Sequence, residues 1–175
     1  TYDVYVGYQS GFSTTTGYSS VYIGAEAGRS NTTGGFNVAV GRRALYSNTT
    51  GNYNTALGQQ AGYSQLGGYG VYIGYQAGYS SSNTYGNVFV GYKVGYSATG
   101  GGNTIVGGVG SNGADQAAAS LTTGTQNSFF GTSAGNAVTT GSKNVILGSY
   151  TGNQDVLDIR TASNNIVLSD GDGNV

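Results

Sequence analysis

Short apolar runs, each closed by a glycine, recur along the whole chain. The closing glycines are Gly7, Gly24, Gly41, Gly58, Gly74, Gly91, Gly107, Gly131 and Gly148, at spacings of 17, 17, 17, 16, 17, 16, 24 and 17. A further step of 21 reaches Ser169, where Asn165-Ile166-Val167-Leu168 repeats the run without its glycine. The residue before each landmark is always apolar, from Val6 to Leu147. Four places before it stands Asn37, Asn54, Asn87, Asn103, Asn127 or Asn144, replaced by Asp3, Ser20 and Gly70 in the other copies. After the landmark come a small residue (Ala27, Ala44, Ala61, Ala77, Val94, Ala134), an aromatic column (Phe12, Tyr46, Tyr63, Tyr79, Tyr96) and a serine. A second glycine recurs seven places before the next landmark, as at Gly17, Gly34, Gly51 and Gly67.

A period of 17 with two glycine-marked corners predicts an all-β, parallel β-solenoid of nine or ten turns, with two short strands per turn. Helices are excluded: the runs are too short, and β-branched and aromatic residues fill them. The recurring Asn is predicted at a corner, bonding the backbone or stacking as a ladder. At about 4.8 Å per turn the stack makes a rod roughly 45–50 Å long. The repeat region covers 1–152, with a seven-residue insertion within 108–124. Residues 153–175, where the repeat loosens and four of the seven acidic residues fall (Asp155, Asp158, Asp170, Asp172), read as a transition segment toward a following fibre module.

In Asn37-Val38-Ala39-Val40-Gly41, Val38 and Val40 share one face and Ala39 takes the other. The Ala39 column reads Tyr5, Tyr22, Ala39, Ala56, Tyr72, Phe89, Ile105, Phe129 and Ile146. A strand with one wet face alternates apolar with polar, whereas these are apolar on both faces. One face fills the coil and the other needs a cover, which copies of the chain can supply. The expectation is a homotrimer, intertwined or side by side, with the Tyr5–Ile146 column at the chain interface; an open polymer is the alternative.

Composition removes most chemistries. His and Cys are absent, along with Pro, Met and Trp. The usual zinc, haem and iron–sulfur sites and the Ser–His–Asp and Cys–His systems therefore fall away, and neither a cofactor, a metal site nor an enzyme is expected. A net charge of −1 carried by 7% charged residues gives no footprint for nucleic acid. No apolar run is long enough to enter a membrane. The surface must be built mainly from Ser, Thr, Asn, Gln, Gly and Tyr.

Gly131-Thr132-Ser133-Ala134-Gly135 matches a nucleophile elbow, and Gly108-Val109-Gly110-Ser111-Asn112-Gly113 a dinucleotide loop, but both fall on repeat columns without the required partners. Asp170-Gly171-Asp172-Gly173-Asn174 begins like a calcium loop and lacks the distal Glu, so it reads as a Gly-rich turn. Candidates for surface recognition are the insertion, through Ser111, Asn112, Asp115 and Gln116, and the column Tyr46, Tyr63, Tyr79 and Tyr96, whose rings could stack on sugars. Thr15-Thr16, Thr32-Thr33, Thr49-Thr50, Thr122-Thr123 and Thr139-Thr140 share one column. A flat Thr ladder can organise ice, but these threonines abut a glycine corner, where backbone bonding explains them.

Asn37-Val38-Ala39-Val40-Gly41, Asn54-Thr55-Ala56-Leu57-Gly58 and Asn144-Val145-Ile146-Leu147-Gly148 resemble the repeats of YadA-like heads in trimeric autotransporter adhesins, whose period is shorter. The unit from Leu45 to Ser64 looks more like repeats of tailed-phage tail fibres. That resemblance implies an elongated, usually trimeric attachment fibre on a virion. The expected role is a shaft segment that presents or contributes to binding of a host-surface glycan or protein receptor. The alternatives are a bacterial surface adhesin or self-assembling extracellular fibril, and a monomeric Thr-ladder ice- or surface-binding solenoid.

Overall fold

The computed structural model describes every residue except Thr1, Asn83, Thr84, Ser111, Asn112, Ala114, Asp115 and Asp155. Nine three-residue strands recur at the predicted period: β1 (Val4–Val6), β2 (Val21–Ile23), β3 (Val38–Val40), β4 (Thr55–Leu57), β5 (Val71–Ile73), β6 (Val88–Val90), β7 (Thr104–Val106), β8 (Ser128–Phe130) and β9 (Val145–Leu147). A two-stranded hairpin, β10 (Asn153–Gln154) with β11 (Leu157–Asp158), then leaves the stack, and β12 (Ile166–Leu168) rejoins it. One parallel sheet runs β1 to β9 in sequence order and ends on β12. Its register is residue for residue, Val38 against Thr55 and Ala39 against Ala56. Among the described residues there is no helix, and hence none long and apolar enough to cross a membrane.

Each turn holds one strand, not two. The Ala-Gly-Tyr-Ser segment, expected as the second strand, coils tightly because residues two and four places after the landmark adopt left-handed backbone: Glu26, Arg43 and Gln60 at φ of 59°, 58° and 58°, and Gly28 at 57°. Extended dihedrals cannot survive such insertions. Turn-to-turn bonding persists nonetheless, with Gly28 N–H donating to Ala44 O at 2.9 Å, Ser30 to Tyr46 at 3.1 Å and Thr32 to Thr49 at 2.8 Å. The solenoid is thus a strand ladder on one side and a ladder of turns on the other.

The landmark glycine is required by space as well as by φ. At Gly41 (φ +131°) an added Cβ would lie 2.6 Å from the backbone carbonyl of Gly58 in the next turn. The Asn corner does the opposite job, filling space with hydrogen bonds. Asn54 Oδ1 accepts from Gly70 N–H at 2.9 Å, its Nδ2 donates to Gly67 O at 2.9 Å, and its own N–H donates to Asn37 Oδ1 at 2.9 Å. The same relay runs from Asn87 through Asn103, Asn127 and Asn144 to Asn165. Buried backbone groups that the coil leaves open at this corner are satisfied by it.

The Tyr5–Ile146 column is the core, which corrects its assignment to an interface between chains. From Tyr22 to Ile146 every member is 0% exposed; only Tyr5, in the first turn, is open at 37%. The tight turn opposite the strand brings Gly28 against the Tyr22 ring (2.6 Å to a built Cβ), so the larger middle residues find their space inside. Ala39 and Ala56 leave room that Leu45 fills: it takes the Gly28-equivalent place, is fully buried and reaches the next turn at Gly62.

The exceptions in the Asn column have the same cause. At Gly70 a Cβ would lie 2.5 Å from the Tyr72 ring and 2.7 Å from its hydroxyl, so a core tyrosine takes the space of the Asn side chain. Tyr22 stands with Ser20 and Tyr5 with Asp3 in the same relation, whereas Ala, Phe and Ile in the core stand with Asn. Burial pushes the Tyr22 phenol up to about 12.

Candidate recognition surface

Three surfaces leave the rod, each fixed by columns of the repeat. The outward face of the sheet carries the first and third residues of every strand. Seventeen of these twenty positions are apolar, the exceptions being Thr55, Thr104 and Ser128. Val38 is 39% exposed, Leu57 49% and Leu147 54%. The face left open by a single chain is therefore aliphatic and spans all ten strands.

Tyr46, Tyr63, Tyr79 and Tyr96 form one continuous stack, with centroids 4.9–5.0 Å apart and planes within 11° of parallel. Below it, Arg29 occupies the rung that an aromatic holds elsewhere. Its guanidinium lies 5.7 Å from both the Phe12 and Tyr46 rings, and it donates to Tyr46 Oη at 3.1 Å and Gln9 Oε1 at 2.9 Å. The ring faces between rungs are therefore spent on one another, leaving edges and hydroxyls outward. Desolvation, with the neighbouring Tyr79 and Tyr46, raises the Tyr63 phenol. Lys93 sits 5.4–5.9 Å from the rings of Tyr92, Tyr75 and Tyr96. Glu26 is held below the usual carboxylate range by its bond from Arg43 Nε at 2.6 Å.

A second aromatic ladder, which the sequence reading passed over, occupies the fifth place before the landmark. Phe36 stacks on Tyr53 at 4.9 Å, Tyr53 on Tyr69 at 5.2 Å, and Tyr18 closes the lower end edge-on to Phe36. The column was visible in the spacing of Phe36, Tyr53 and Tyr69. Its rungs are 42%, 50% and 61% exposed. At its upper end Tyr69 and Tyr85, with Thr50, Asn52, Leu66 and three glycines, line a small cleft of about 70 Å³ open to solvent.

Of the insertion candidates, Ser111, Asn112 and Asp115 lie outside the described residues. Gln116 forms an isolated antiparallel bridge with Val109, donates through Nε2 to Gly113 O at 3.3 Å, and its carbonyl accepts from Asn136 Nδ2 at 3.1 Å. The insertion then rejoins the stack, with Ala117, Ala118 and Leu121 buried. Gln116 and the tyrosine column remain separate sites along the rod.

In four of the five pairs the first threonine turns its hydroxyl onto the next turn: Thr15 donates to Thr32 O, Thr32 to Thr49 O, Thr122 to Thr139 O and Thr139 to Arg160 O, at 3.0–3.1 Å. Asp170 closes its own loop, accepting from the N–H groups of Asp172 and Asn174 and from Asn174 Nδ2 at 2.9–3.0 Å. Those bonds, Asn174 first, hold its carboxyl below the ordinary range. Among the described residues no three metal-ligating side chains gather. No known family model, curated protein or solved structure matches this chain.

Proposed function

We propose that this chain is a structural and attachment protein, the shaft segment of a homotrimeric fibre of the tailed-virus kind, with no catalytic role. The observation that carries the reading is the aliphatic double column on the outside of the sheet, ten strands deep. A stripe of that length exceeds what a soluble monomer leaves in water. A second rod with the same rise per turn matches it rung for rung, and three chains around an axis bury three such faces together. The partners are copies of the chain, and the working place is outside the cell or on a virion. Mechanically, the backbone ladders and the Asn relay give a stiff spacer that carries a receptor-binding tip.

Absolute mass by light scattering on a size-exclusion column tests this. A discrete elongated trimer supports it; a stable monomer overturns it. A second reading, a self-assembling extracellular fibril or adhesin, is favoured by the two outermost strands β1 and β12, each with one edge unpaired within the sheet. Parallel edges of that kind can join head to tail, and an open-ended polymer in the same experiment would select it. The ice-binding reading loses support from the hydroxyls that the first threonine gives to the backbone in four of the five pairs.

A further inference from the structure

The end of the second aromatic ladder is built differently from the rest of it. Tyr53 covers one face of Tyr69. The rung that would cover the other is Gly86, where an added Cβ would meet no described residue within 4 Å. Tyr69 is thus the last ring of a stack with its outer face bare, at 61% exposure, and Tyr85 beside it is 61% exposed as well. Both border the small cleft, which Gly68 and Leu66 also line.

The cleft's polar groups are braced rather than loose. Asn52 Oδ1 accepts from Gly35 N–H at 2.7 Å and its Nδ2 donates to Thr50 O at 3.2 Å, which leaves the second amide N–H for a ligand. The Thr50 hydroxyl and two phenol hydroxyls add donors and acceptors that carry no charge. Among the described residues no Asp, Glu, Lys or Arg lines the cleft, which favours an uncharged ligand. A flat exposed ring face with flanking hydroxyl and amide groups suits a neutral pyranose: its C–H face lies on the aromatic plane while its hydroxyls bond the neighbouring polar groups.

We propose that the cleft between Tyr69 and Tyr85 is a binding site for a neutral hexopyranose unit of a surface glycan. The site deepens the attachment reading and rests on it only for the source of the glycan, an outer cell surface. Its affinity is that of a single shallow subsite, multiplied when several chains present it side by side.

Saturation-transfer NMR on the whole chain with maltohexaose, mannohexaose and chitohexaose as probes tests the site. Transfer to at least one of the three is expected, with a weak dissociation constant that rises at least tenfold in Tyr69→Ala. Gly86→Tyr is the second variant. Tyr53 and Tyr69 hold the same column at φ of 60° and 62°, and Gly86 itself at 68°, so a tyrosine fits there, extends the stack and covers the bare face. It abolishes binding without lowering the melting temperature, while Tyr63→Ala in the other ladder leaves binding intact. No transfer to any of the three sugars, or binding indifferent to Gly86→Tyr, overturns the site. A chain that binds sugar yet runs as a monomer would overturn the shaft and keep the site; a trimer that binds none would do the reverse.

Discussion

The two halves of the rod share one coil and differ in what is mounted on it. Fifteen of the sixteen tyrosines lie at or before Tyr96; only Tyr150 lies beyond. Both stacked ladders belong to the first half. Past Gly100 the same columns hold Ala119 and Asn136 on one side, and Gly102, Gln126 and Lys143 on the other. Yet β7, β8 and β9 pair in the same register as β2, β3 and β4, and the Asn relay continues through Asn127 and Asn144. The coil closes without the ladders. Core column, glycine corner and Asn corner therefore specify the fold, and the aromatic ladders equip one half of a scaffold that stands without them.

The glycine corner should fail equally in both halves. Gly41→Val and Gly131→Val each place a side chain against the next turn's backbone at φ of +131° and +143°. Left-handed strain adds to a clash that no rotamer relieves, and each change should cost roughly 4 kcal/mol or more. Chemical denaturation followed by circular dichroism should report either loss of the fold or a truncated stack. A tolerated valine at either place would mean that the turns do not approach as closely as described.

The Asn corner should also be indifferent to the half, at smaller cost. Asn54→Ala strands Gly70 N–H and Gly67 O; Asn127→Ala strands Asn144 N–H and Gly141 O. Leaving a buried donor and a buried acceptor unpaired costs about 2–4 kcal/mol. Matched losses for the two variants in urea unfolding would support one relay; a loss in one half alone would split the rod into two differently held parts.

Alkali should separate the halves. Tyr22 ionises near 12 in the fold, because burial disfavours the phenolate, and near 10 when unfolded. Its neutral form is favoured in the native state, so the contribution is fully present below pH 10 and is lost as pH rises from about 10 to 12. Two pH units correspond to about 2–3 kcal/mol. Ile105 and Ile146 hold the same core column in the second half and titrate nothing. Melting temperature against pH should fall steeply above 10 in the wild type and less in Tyr22→Phe; identical curves would remove the burial argument.

Much of the coil is legible in the sequence, because the landmark spacing fixes the turn length and the Asn column fixes one corner. The strand count is not: left-handed residues such as Glu26 and Arg43 carry no signal in residue type that separates a second strand from a coiled turn. Nor is the inward face, since Val38, Ala39 and Val40 are all apolar. The clue lay in the exceptions: Ser20 and Gly70 stand where the Asn belongs, two residues before Tyr22 and Tyr72. Only a ring reaching into the Asn space explains that. The Tyr46–Tyr96 column was readable as a column, but a period alone cannot tell rings stacked face to face from rings facing water. The Tyr69–Tyr85 cleft needs adjacency across turns and a missing rung at Gly86, which no single repeat contains.

The smallest effect bears most directly on what the ladders are for. Tyr63 stacks on Tyr46 below and Tyr79 above, so Tyr63→Ala removes two ring pairs at a partly exposed position. Each is worth about 0.5–1.5 kcal/mol at best, and a total near 1–2 kcal/mol follows, well under the Asn corner. The converse change is Ala119→Tyr, which supplies the missing rung above Tyr96 in the plain half. If ladders were architectural, adding one ring pair on Tyr96 should stabilise by about half of what Tyr63→Ala, which removes two, costs. If the coil is complete without them, the added ring gains well under that half, because β7, β8 and β9 already pair in register with no ring in this column. Paired urea titrations of the two variants give the ratio directly, and a gain of half the loss or more would move the aromatic ladders from equipment to framework.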